Sequence, residues 1–160
     1  MKLICLVAVF LTFASCKKTD GSGGSVVVDQ SLKVSFVNKD KKDILKALGE
    51  ESISKMRLYY LIDGKRVLYH DPKLSAPYGI QLIVPNGQAS LYQLQLSLNN
   101  VGTVGENVNS TTYLTWEDGK EDTIVGTFFN DSNNRILKNF KFNAVEGGLE
   151  EKQGLVITRE

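Results

Sequence analysis

The chain has 160 residues, 42% of them apolar, and its 19 basic and 18 acidic side chains leave a net charge of +1. A balance this close to neutral argues against the basic stripe or patch with which proteins displace counterions from nucleic acid or grip an anionic lipid surface. With one histidine in the whole chain a two-histidine metal site is excluded, and two cysteines leave little room for soft-ligand zinc chemistry.

Met1-Lys2 gives a short positive start, and Leu3 to Phe13 is an apolar run interrupted only by Thr12. That run is too short to span a membrane but has the length of a signal-peptide core. Ala14-Ser15-Cys16 then places small side chains before a cysteine, with Phe13 standing where Leu is usual. Residues 1–15 are therefore expected to be a lipoprotein signal peptide, cut before Cys16, whose thiol carries the lipid. Cys5 leaves with the signal and Cys16 is blocked, so the folded part keeps no thiol and no disulfide. Losing Lys2 brings the mature charge to 18 basic against 18 acidic groups, that is zero. Three acyl chains exceed the two signals that lasting attachment needs, so the anchor is expected to be permanent. Lys17, rather than Asp, after the cysteine favours the outer membrane, facing either the periplasm or the cell surface.

Residues 16–30 continue with Gly and Ser at positions 21–25 and read as the lipidated cysteine and a flexible tether. Residues 31–160 are enough for one domain with a single core. Its dominant period is two. Leu32, Val34 and Phe36 share one face of a first run, and Met56, Leu58, Tyr60 and Ile62 one face of a second. Tyr92, Leu94, Leu96 and Leu98 alternate with polar residues over a half-buried strand. Further runs over residues 66–70, 78–84, 112–117, 123–129, 135–142 and 154–159 bring the expectation to about nine strands.

Asp63-Gly64 and Asn86-Gly87 suit two-residue hairpin turns, and Asp118-Gly119 marks a third hairpin with a longer loop. Between residues 40 and 49, Ile44, Leu45 and Leu48 are spaced for one helical face, with Asp40 as N-cap and Gly49 as stop. The fold class expected is all-β, an antiparallel β-sandwich of roughly immunoglobulin-like size with one short helical turn, the alternative being a closed barrel.

Four segments in this order, LKVSFVNKDKKDIL (32–45), ISKMRLYYLIDGKRV (53–67), TTYLTWEDGKEDTI (111–124) and RILKNFKFN (135–143), resemble a family of small Bacteroidetes-type surface lipoproteins of unknown function. Tyr113, Trp116, Asp118-Gly119 and Asp122-Thr123-Ile124 carry the most specific part of the resemblance, whereas Lys41 and Lys42 stand near an expected glycine. The resemblance implies a surface location and a β-sandwich, and no activity. By the same resemblance Asp122-Thr123-Ile124 fits an Asp-Ser/Thr-apolar sugar-attachment motif.

Catalytic chemistry finds few carriers. His70, before Asp71-Pro72, reads as an exposed turn residue, with no nucleophile or oxyanion hole marked near it. Ser52-Ile53-Ser54-Lys55 fits S-x-x-K but lacks that motif's companions. Residues 117–122 hold four carboxylates around a turn, without the ligand spacing of a calcium loop. Aromatic residues are the better lead: Trp116, Tyr113 and Tyr59 form a candidate ligand platform, since sugar C–H faces pack on aromatic planes. A lone Trp among strands is also the usual central packing residue of a sandwich.

The expected protein is thus a non-catalytic, membrane-anchored envelope lipoprotein, a binding or assembly module that uses no cofactor and no metal. Its partner would be a polysaccharide or an outer-membrane protein, not nucleic acid. Two alternatives make sharper demands. A glycan-binding accessory of a polysaccharide uptake system needs Trp116 and at least one tyrosine coplanar and exposed. A small hydrolase needs His70 within reach of a Ser or Thr in a pocket.

Overall fold

A computed structural model describes residues 27–86, 91–100, 104–131, 134–143, 145–148, 150–151 and 154–159. The expected signal peptide, Cys16 and most of the tether lie outside these residues, as does Gly87. In chain order the elements are β1 (Val27–Asp29), β2 (Ser31–Val37), α1 (Ile44–Ser54), β3 (Arg57–Ile62), β4 (Lys65–Leu68), β5 (Ile80–Ile83), β6 (Gln93–Ser97), β7 (Gly105–Thr115), β8 (Glu121–Asn130), β9 (Asn134–Phe142), β10 (Val145–Gly147) and β11 (Leu155–Thr158).

The strands make two open sheets packed face to face, as in a β-sandwich. The larger runs β1-β9-β8-β7-β3-β4, with β10 beside β1 on the outer edge of β9; the smaller runs β11-β2-β6-β5. Each contains one parallel pair, β1 with β9 and β11 with β2, so the sheets are mixed rather than purely antiparallel.

Alternation decides which side chains meet between the sheets. Leu32, Val34 and Phe36 of β2 and Leu94 and Leu96 of β6 face Leu58, Leu114, Ile124, Phe128 and Phe142 of the large sheet, all fully buried or nearly so. A buried side chain of this size contributes about 1.5–3 kcal/mol relative to exposure, so this layer supplies most of the driving force. Tyr60 and Tyr59 take opposite faces, Tyr60 inward. The Tyr60 hydroxyl donates to the Ser97 carbonyl at 2.9 Å and so ties β3 to β6 across the core. Burial pushes that hydroxyl's pKa upward, and it stays protonated. Buried Asn99 adds a second tie where the chain leaves β6: its backbone N–H donates to the Thr112 hydroxyl at 2.8 Å, and its side-chain amide to the Leu61 carbonyl at 3.1 Å.

Several boundaries differ from the sequence expectation. Residues 27–29, expected in the tether, form β1, because β-branched residues at its start suit an extended chain paired to the free edge of β9. The helical segment starts at Asp43 rather than Asp40: the Asp43 carboxylate caps the Lys46 N–H at 3.1 Å and also accepts the Tyr92 N–H at 2.7 Å. Gly49 does interrupt the helix, at φ 76° and ψ 170°, but the chain resumes helical geometry and reaches Ser54. Asp63 and Gly64 both have positive φ and join Ile62 to Lys65 as a two-residue hairpin. The expected Asn86-Gly87 turn falls partly outside the described residues; the strands that flank it, β5 and β6, end at Ile83 and begin at Gln93 and are paired.

Candidate ligand-binding site

Trp116 is 6% exposed and belongs to the core, which removes it from the platform expected with Tyr113 and Tyr59. The demand on which the glycan-accessory reading rests, Trp116 and a tyrosine coplanar and exposed, therefore fails. The reason is parity: Tyr113 faces outward on β7, Leu114 faces inward, and the hairpin turn that follows rolls Trp116 in beside Phe36, edge-on at 4.8 Å between centroids. A buried indole N–H needs an acceptor. Asp122 supplies it from across the hairpin, Oδ2 accepting from Trp116 Nε1 at 2.6 Å. The same oxygen accepts from Arg159 Nη1 at 2.5 Å, and Asp122 Oδ1 accepts from Asn143 Nδ2 at 2.9 Å. The Arg159 guanidinium also lies over the Trp116 ring at 3.9 Å. Arg159 follows β11 in the small sheet whereas Asp122 sits on β8 in the large one, so this buried ion pair locks the sheets together. Trp116 and Asp122, two of the residues that carry the family resemblance, are thus packing and locking groups.

Three cross-strand rows of outward side chains on the large sheet bear on binding. Asn109, Thr127 and Asn139 form the first, across β7, β8 and β9. Thr111, Val125, Lys141 and Glu146 form the second, which reaches β10 and ends in a Lys141–Glu146 ion pair at 3.1 Å. The third is Leu68, Tyr59, Tyr113 and Thr123. Tyr59 and Tyr113 are therefore direct neighbours, half-buried, with the Arg66 guanidinium 4.5 Å from the Tyr113 ring centre and 5.1 Å from that of Tyr59. Arg66 is held there by an ion pair with Glu121. At the other end of the face, β10 with Gly148 and Glu151 raises one wall of a groove of about 630 Å³ whose floor holds the first row, Val125 and Lys141. An irregularity in the β8–β9 ladder between Thr127 and Phe128 falls at this groove; such bulges increase local twist and re-aim side chains.

No family model, no curated protein and no solved structure matches this chain. Its chemistry has to be read from these surfaces.

A second, smaller cavity of about 350 Å³ lies between α1 and the hairpin that joins β7 to β8, lined by Ile44, Leu48, Met56, the edge of Trp116, Lys120 and Arg159. Leu48, expected on the packed face of the helix, is 37% exposed at its wall because the Gly49 break turns the second half of α1 away. Ser52 also reaches this cavity, but Lys55 is turned to Glu117 at 2.7 Å and Glu51 at 3.2 Å. Those hydrogen bonds, Glu117 first, raise the pKa of Lys55, opposite to what an S-x-x-K base requires.

The four carboxylates of residues 117–122 do not converge. Glu117 pairs with Lys55, Asp118 caps the Lys120 N–H at 3.0 Å, Glu121 pairs with Arg66, and Asp122 is buried. Among the described residues, no three His, Cys, Asp or Glu side chains are grouped to hold a metal ion. His70 is exposed, its ring stacked on Tyr78 at 4.9 Å. Thr123, the acceptor of the expected sugar-attachment motif, is half-buried at the start of β8, where its N–H donates to Asn143 Oδ1.

Sequence reasoning singled out Tyr59 and Tyr113 but not the groove. Asn109, Thr127 and Asn139 lie on three strands, and only their register brings them into line. Arg159 and Asn143 were equally invisible as partners of Asp122, although a Trp and an Asp flanking a tight turn were a signal for their own hydrogen bond.

Proposed function

We propose that this protein is a non-catalytic, lipid-anchored envelope lipoprotein whose folded domain is a binding module, and that its working surface is the outer face of the large sheet. The observation that carries this reading is the Tyr59–Tyr113 pair. Two tyrosines stand opposite each other on a solvent-facing sheet, and one arginine, itself fixed by Glu121, lies over both their rings. Aromatic and Arg side chains set in a rigid frame are the usual anchors of a binding surface, because little conformational freedom is lost when a partner arrives. The anchor belongs to the same reading: a Gly/Ser-rich stretch leads from Cys16 to β1, and such a leash lets a domain search a volume near a membrane.

The test places a photoreactive benzophenone amino acid at Tyr113 in the full chain, in membranes of cells that make it, with a control substitution at Val156, which is exposed on the small sheet. Discrete adducts at position 113 and none at 156 are expected on illumination. An identical pattern at the two positions, or no adduct at either, sinks the reading.

A further inference from the structure

We infer that the outer face of the large sheet binds a neutral oligosaccharide, one sugar unit lying in the groove of Asn109, Thr127 and Asn139 and another on the Tyr59–Tyr113 pair. This deepens the binding-module reading and rests on it.

A sugar offers hydroxyls that both donate and accept, and C–H faces that behave as apolar surface. The groove answers both. Its first row is two amides and a hydroxyl, groups that can each donate and accept at once. Within that row the Thr127 hydroxyl donates to Asn109 Oδ1 at 2.8 Å, which leaves the Asn109 amide N–H groups and the whole Asn139 side chain for a ligand. Val125 and Phe140 supply the apolar part of the lining, and Gly147-Gly148 forms a wall with no side chain. Charge selects against acidic glycans: the lining holds one lysine against two glutamates, and Lys141 is already neutralised by Glu146. Glu151, bonded to the Gly148 N–H at 2.9 Å, keeps the wall in place and adds a negative group at the rim.

The two ends are linked by a continuous track. Asn109 and Tyr113 lie on the same side of β7, four residues apart, which is about 13 Å at ~3.3 Å per residue. Between them run Thr111 and Val125, an outward pair small enough to leave the track open. An extended ligand would therefore cross the sheet diagonally, from amides and hydroxyl to aromatic rings. Trp116 has no part in it.

The test titrates the full chain, held in a detergent without a sugar headgroup, with oligosaccharides cut from neutral glucan, mannan, xylan and galactan and from one uronic-acid polymer, read by calorimetry. The expected result is saturable binding of one neutral oligosaccharide. Thr127→Val with Asn139→Ala should weaken it at least tenfold, and Tyr113→Ala should weaken longer oligomers more than short ones. Far-UV circular dichroism and Trp116 emission should match the wild type in both variants. Wild-type affinity in the groove variant overturns the proposal. So does preference for the uronic-acid polymer, or silence toward every oligosaccharide. In these cases the photo-crosslinking at position 113 decides separately whether the face binds something else.

Discussion

Asp122 is the residue on which the fold's polar interior turns. A carboxylate that is only 7% exposed meets a guanidinium, an amide and an indole N–H that is itself buried. Removing one member of a buried charge pair costs more than the pair contributes, because the remaining charge is left without a partner. Asp122→Ala should therefore destabilise the domain by about 3–5 kcal/mol. A urea midpoint shift with unchanged slope would report it, and the Trp116 emission should move to longer wavelength as water reaches the indole. A loss below ~1 kcal/mol, the scale of an exposed pair, would show that the knot is not closed in solution. Trp116 was legible in the sequence only as a choice between platform and core. Strand parity decides for the core and the Asp122 acceptor makes it tolerable, but a carboxylate in a run of four gives no sign of which member turns inward until strand register is known.

At the scale of elements, α1 is fastened to the β7–β8 hairpin by a surface clamp. The hydrogen bond from Lys55, then one from Ser52, lowers the pKa of Glu117 below its ordinary value of 4.5, and Glu117 raises that of Lys55. A carboxylate with a depressed folded pKa contributes stability that is present above the ordinary value and lost as pH falls through the depressed one. The clamp should thus hold at neutral pH and release on acidification below the usual carboxylate range. Carbon-detected titration of the Glu117 carboxyl should give a midpoint below the ordinary one, moving upward in Lys55→Ala; equal midpoints in the two proteins would mean that the clamp does not form. Strands with clean alternation, β2, β3 and β6, and the Asp63-Gly64 turn were readable in advance, since period and turn chemistry are local. The first half of β7, GENVNS, was not: its Asn and Gly residues have poor strand propensity and are held by pairing with β8. β1 and β10 were hidden for a related reason. Each has three residues and exists because β9, distant or recently passed in the chain, offers an unpaired edge.

For the whole molecule, two open sheets closed by ties at several points make a rigid frame, and the proposed binding face spans β3, β7, β8 and β9, with β10 as one wall of its groove. In the proposed arrangement, membrane attachment falls to the residues that precede β1. Feeding cells an alkyne analogue of palmitate should label the full chain, and Cys16→Ala should carry no label; label retained in Cys16→Ala would place the lipid elsewhere.

The short strand at the end of the leash gives this arrangement a mechanical property. Only Gln30 separates β1, on the large sheet, from β2, which is paired on both sides within the small one. In a chain anchored as proposed, tension would enter at Val27 and meet three residues of edge pairing before reaching a strand bonded on both flanks. β1 will yield first. Its release with Gln30 pays out about 13 Å of chain, at ~3.3 Å per residue, while the core and the β9 face stay intact. In the proposed anchored protein, β1 is thus the element that takes up a pull before any strand of the core is disturbed.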